Sequence, residues 1–134
     1  MAVANHEIQV TWSSSNSASV SGGATLASDI MSFSAAAFDA MITLKADNSG
    51  TPANCDTVDF YALLSCGDPD GSGSDEFPND DSDGIFLARL DTYADDPAIA
   101  TVTIPVATAV KIFARNNASS NSVTVSACIN EKTA

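Results

Sequence analysis

From Glu7 to Ser13 the chain alternates, with Ile8, Val10 and Trp12 at one set of positions and Gln9, Thr11 and Ser13 at the other. Successive side chains of an extended strand point to opposite faces, so a period of two predicts a strand with one buried face. The same period returns in Phe38, Ala40, Ile42 and Leu44, set against Asp39, Met41, Thr43 and Lys45. It returns again in Ala100, Val102, Ile104 and Val106, with Thr101 and Thr103 opposite, although Pro105 lacks a donor and should end that strand or put it at an edge. Val110, Ile112 and Ala114 alternate with Lys111, Phe113 and Arg115, and Val123, Val125, Ala127 and Ile129 form the last apolar series before a polar tail, Glu131–Ala134.

The centre of the chain is a pair of apolar segments, Thr57–Cys66 and Gly84–Asp91. In the first, Val58, Phe60, Ala62, Leu64 and Cys66 share one face while Asp59, Tyr61 and Ser65 share the other, which predicts a half-buried strand. The stretch from Ala24 to Phe38 follows neither period well, and a strand is expected around Ile30–Ser34, with a short edge strand around Ala18 and Val20. Turn chemistry separates the segments at Gly22-Gly23, Asp47–Pro52, Leu90–Pro97 and Asn116–Asn121. About eight short strands rich in β-branched residues predict an all-β fold, an antiparallel β-sandwich of jelly-roll or Ig-like kind. A chain of 134 residues fits one domain, residues 1–134, with an extended N-terminal segment and a long acidic loop at 67–83.

Charge narrows the partners. Asp+Glu 17 against Lys+Arg 5 gives a formal net charge of -12, a surface that repels phosphate backbones and anionic lipids, so neither nucleic acid nor membrane is an expected partner. Cys55, Cys66 and Cys128 have no CxxC spacing and read as free thiols, and the first ten residues lack the basic and apolar regions of a secretory signal. Synthesis and folding in a cytoplasm are therefore expected.

The acidic insert is the sharpest candidate for chemistry. Asp68, Asp70 and Asp75, with Asp80, Asp81 and Asp83 further on, stand at short spacing among glycines, as in loops that present oxygens to calcium. Against an EF-hand loop starting at Asp68, Asp70 and Gly73 match, but Ser72 holds the fifth position and Asn79 the twelfth, where a bidentate Glu belongs. The expectation is a looser calcium site on Asp68, Asp70 and Asp75, weighed against a solvated loop extended by its own charge. No other cofactor is expected.

Catalysis has little to draw on, and no catalytic residue is assigned. His6 is the one histidine, and it sits near a terminus expected to be loose. Asp59 with Asp39 or Asp91 would be the carboxylate pair for a glycosidase, but outward Asp residues are ordinary in so acidic a chain. Trp12, Tyr61 and Tyr93 are candidates for stacking on sugars, although Trp12 shares its face with Ile8 and Val10 and reads as core. Lys45, Lys111 and Arg115 are placed on outward faces, and Thr101, Thr103, Thr124 and Ser126 suit a flat sheet able to pair with copies of itself.

The segments Phe38–Asp47, Asp56–Tyr61, Gly67–Pro78, Leu90–Thr92, Asp95–Ala98 and Lys111–Asn117 together resemble small virion structural proteins of tailed bacteriophages, nearest to the head decoration, or cement, proteins. The resemblance implies a β-sandwich on the outside of an assembled capsid, bound to the major capsid protein as a dimer or trimer and carrying no enzymatic activity. A tail or fibre component, or a carbohydrate-binding adhesion module, is the alternative, and an enzyme comes third.

Overall fold

The period-two segments become strands, and the computed structural model, which describes residues 2–134, stacks them as two antiparallel sheets face to face. The strands are β1 (Ala4–Gln9), β2 (Ala18–Val20), β3 (Thr25–Ala27), β4 (Met31–Ser32), β5 (Ala37–Asn48), β6 (Thr57–Ser65), β7 (Ile85–Asp91), β8 (Ala98–Thr103), β9 (Ala109–Asn116) and β10 (Val123–Thr133). The first sheet runs β1-β10-β5-β8, with β2 also on β10, and the second runs β3-β9-β6-β7, with β4 also on β9. The fold is an all-β sandwich, as the alternation predicts; the short strands expected around Ala18 and Val20 and around Ile30–Ser34 are present as β2 and β4, and the three-residue β3 is the strand the pattern does not foretell.

The long pair β5 and β10 forms the spine, in register from Asn48↔Val123 to Asp39↔Lys132. Every second residue of both strands points inward, so Ala40, Ile42, Leu44 and Ala46 lie beside Val123, Val125, Ala127 and Ile129. They pack on Val58, Phe60 and Ala62 of β6 and Val110, Ile112 and Ala114 of β9. Each fully buried Val, Leu, Ile or Phe stabilises the fold by about 1.5–3 kcal/mol relative to exposure, so this layer is the main stabilising element. Trp12 joins it, which settles that residue as core and removes it from sugar stacking. It lies beyond β1 in a tight bridge with Ser15, and its Nε1–H has no hydrogen-bond partner among the described residues.

Three expectations are corrected. The polar tail is a continuation of β10, because Glu131 takes the next inward position after Ile129 and is 0% exposed. Its carboxylate accepts from the Ser34 backbone N–H at 3.0 Å and meets His6 Nδ1 at 2.9 Å, which compensates for its desolvation. The N-terminal segment is therefore not loose: β1 pairs with β10 from Ala4 to Gln9, and His6 stands opposite Glu131. Finally, β6 is buried on both faces at Asp59, Leu63 and Ser65, while Cys66 is exposed. The acidic segment folds back over that side, and its short 3-10 turn, Asp81–Asp83, contacts β6.

One end of the sandwich is tied by polar side chains. Asp56 accepts from Asn48 Nδ2 at 3.0 Å, Asn121 Nδ2 at 2.9 Å and the Ala53 N–H at 3.0 Å, joining the loops after β5 and β9. Those bonds hold its carboxyl below the ordinary 3.8, the Ala53 N–H being the largest cause.

Candidate functional site

The outer face of the second sheet is where unusual side chains converge. Inward Val110, Ile112 and Ala114 force Lys111, Phe113 and Arg115 outward on β9, and their partners on β6 are Leu63, Tyr61 and Asp59. On the far side of β6, Arg89 pairs with Asp59; a bulge between Phe60 and Tyr61 then brings Phe86 opposite Tyr61. Two rows result, running across the strands: Phe113–Tyr61–Phe86 and Arg115–Asp59–Arg89.

In the aromatic row the rings of Tyr61 and Phe86 meet edge to face, centroids 5.6 Å apart at 72°, while Phe86 remains 55% exposed. Ile85 beside it is exposed as well. Such a pair contributes about 0.5–1.5 kcal/mol beyond its buried area, which fixes the rings on the sheet.

The charged row is locked. Arg89 donates to Asp59 twice, Nε to Oδ1 at 2.7 Å and Nη2 to Oδ2 at 2.8 Å, and Asn117 Nδ2 adds a bond at 3.1 Å. Asp59 is 4% exposed, yet the Arg89 hydrogen bonds hold its carboxyl below 3.8 against desolvation, helped by Asn117 and the nearby Arg115 charge. Arg115 forms an ion pair with Asp81, which the 3-10 turn buries against the sheet. Gly84 leaves that turn so close to the sheet that a Cβ would sit 2.8 Å from Leu63 Cδ2 and 3.2 Å from the Ala62 carbonyl. Lys111 Nζ lies 4.7 Å over the Phe77 ring, anchoring the middle of the segment by a cation–π contact. The outward cations Lys111 and Arg115 thus hold the acidic loop down.

Within that loop the structure gathers Asp68, Asp70 and Glu76, one carboxylate oxygen of each within 4.8 Å of the others, and leaves Asp75 out. Asp68 accepts from the Gly73 N–H and from Ser72 Oγ, and those contacts, Gly73 first, bring its carboxyl down to about 2. Asp70 accepts from the Ser72 N–H at 3.0 Å, and Asp80 caps the 3-10 turn. The carboxylates of Asp68, Asp70 and Asp80 therefore bond the loop's own backbone. Calcium takes about 6–8 oxygens, more than this group supplies by itself.

The other candidates are dispersed. Asp39 is on the outer face of the first sheet, and Asp91 accepts from the Tyr93 and Ala94 N–H groups at the end of β7, so neither joins Asp59 in a cleft. Tyr93 is exposed in the β7–β8 turn, apart from the aromatic row. Phe86 and Phe113 were not legible as partners of Tyr61, because the bulge that aligns Phe86 leaves no mark in the periodicity. On the first sheet, a groove of about 410 Å³ is lined by Glu7, Asp39, Met41, Thr43, Thr101 and Asn130. There Thr43 and Thr101 hydroxyls bond at 2.8 Å, and Cys128 donates to Glu7; burial, with Glu7 adding, pushes its thiol up to about 11.

No family model matches the chain, and no curated protein does. Among solved structures it is similar to a chain titled "Family 16 Carbohydrate Binding Module-2", at 10% identity and a TM-score of 0.44, over 87% of this chain and 79% of that one. Likeness at that level carries no function across.

Because Asp59 is depressed in the folded state, its contribution is fully present above the ordinary 3.8 and is lost as pH falls below it. Urea unfolding across a pH series should therefore show an acid loss of stability that is shallower in Asp59→Asn, and Arg89→Ala should cost about 1–3 kcal/mol at neutral pH by stripping a buried carboxylate. Calcium at about 10 mM, well above the dissociation constants of weak calcium sites, should leave the melting temperature of metal-free protein within about 1 °C. A rise of several degrees, abolished by Asp70→Asn, would instead make Asp68, Asp70 and Glu76 ligands.

Proposed function

We propose that the chain is a non-enzymatic virion structural protein that decorates the outer surface of a bacteriophage capsid and helps hold it closed by binding the major capsid protein. The observation that supports this reading is the aromatic row Phe113–Tyr61–Phe86, with exposed Ile85 beside it, set on a face made rigid by the Arg89–Asp59 and Arg115–Asp81 pairs. Interfaces concentrate their energy in rigid aromatic anchors rimmed by polar groups, and a locked face avoids the entropic cost of ordering on docking. A net charge of -12 suits the outside of a shell better than a surface facing packaged DNA. Many modest contacts repeated over a lattice supply avidity, so no single site need be tight. The chain is made in the host cytoplasm and ends on the virion.

A second reading, an adhesion module of a tail or fibre, is favoured by one observation: the groove on the first sheet offers the carboxylates of Glu7 and Asp39, the Asn130 amide and the Thr43 and Thr101 hydroxyls to a polyhydroxylated ligand.

Cosedimentation of purified chain with capsids that lack it distinguishes the two. Decoration predicts saturable binding in proportion to shell subunits, weakened about tenfold or more by Phe86→Asp, the size expected for an aromatic anchor, with the melting temperature lowered by only a few degrees, about what loss of the Tyr61 contact costs. No shell binding, together with glycan-array binding that Asn130→Ala removes, would replace decoration with adhesion.

A further inference from the structure

Strand β8 closes one edge of the first sheet: among the described residues it hydrogen-bonds to β5 on one side and to no strand on the other, although β7 of the second sheet passes near it. The Ile104 N–H donates to the Ala40 carbonyl at 3.2 Å, one step beyond the Thr103↔Met41 pairing. In an antiparallel ladder, residues that exchange both hydrogen bonds alternate with residues that exchange none. Val102, Ala100 and Ala98 therefore bond to β5, and Ile99, Thr101 and Thr103 direct their N–H and C=O groups away from the sheet. All of these outward residues are exposed, Ile99 to 60%.

Proteins blunt such edges with charge, proline, bulges or brevity. The other edges here are blunted: β1 carries His6 and Glu7, β7 carries Arg89 and Asp91 and faces a bulge, and β2, β3 and β4 have two or three residues each. Strand β8, Ala98-Ile-Ala-Thr-Val-Thr103, has no charge and no internal proline; Pro97 and Pro105 only mark its ends. Among the described residues it is the one edge of useful length left open.

We propose that β8 is a self-pairing edge, through which two copies of this chain join antiparallel about a twofold axis at Thr101 and merge their first sheets into one. In that register Ile99 faces Thr103 of the second copy, and roughly six backbone hydrogen bonds form from groups that are otherwise unpaired. The Thr43–Thr101 hydroxyl pair continues into the same pair of the second copy, a row of hydroxyls across the junction. The antiparallel direction also carries Asp95 and Asp96 to opposite ends, where parallel pairing would set them side by side. This pairing does not depend on what the second sheet docks onto, so the free chain tests it.

Sedimentation equilibrium over about 1–200 µM should show a monomer–dimer equilibrium, shifted toward dimer by salt because two acidic chains repel. Thr101→Pro removes an outward donor without touching the β5 ladder and should leave a folded monomer with its melting temperature nearly unchanged. Ile99→Lys, which alters no backbone group, should weaken the dimer tenfold or more and decides the matter if the proline variant does not fold. A chain that stays monomeric, a dimer that survives the substitutions, or a trimer, which an isologous antiparallel pair does not form, would overturn the proposal.

Discussion

The ladder between β5 and β10 is the constraint on which the rest depends. Its length sets the long axis of the first sheet, and its unbroken alternation assigns every side chain along it to core or solvent. A slip of one residue would turn Ile42, Leu44, Val125 and Ile129 outward together, so the register is strongly held. The same register brings Glu131 inside at the open end of the core, where Ser34 and His6 meet it. It also leaves Met41, Thr43 and Asn130 facing water.

The second sheet solves a different problem. Its outer face is not simply solvated, since an acidic segment with many like charges is pinned across part of it by the cations of β9, and a desolvated Asp59 is kept ionised by Arg89. The sheet sets the spacing and the charge pairs set the stiffness. What remains uncovered is an aromatic strip fixed in place before any partner arrives.

Much of this was legible beforehand and some was not, for physical reasons. Alternation located the long strands, since burial on one face leaves a period in the residues themselves, and Trp12 read correctly as core. The strand β3 carries too few residues to show a period. Glu131 read as tail because a buried carboxylate looks like any polar terminus until its partners, far away in sequence, are known. Asp75 stood in the expected calcium group by proximity along the chain, but the turn at Gly73 swings Glu76 toward Asp68 instead. The row Phe113–Tyr61–Phe86 depends on a bulge and on pairing across three strands, neither of which one segment's pattern contains.

The protein presents two stiff faces, one bearing an aromatic row and the other ending in an open strand. Surfaces of that kind suit attachment to a repeating lattice. Counting the chain in purified virions that contain it, by quantitative mass spectrometry against the major capsid protein, tests this most directly. Copies in fixed proportion to the shell subunits are the predicted result; a handful per particle, or none, would contradict it.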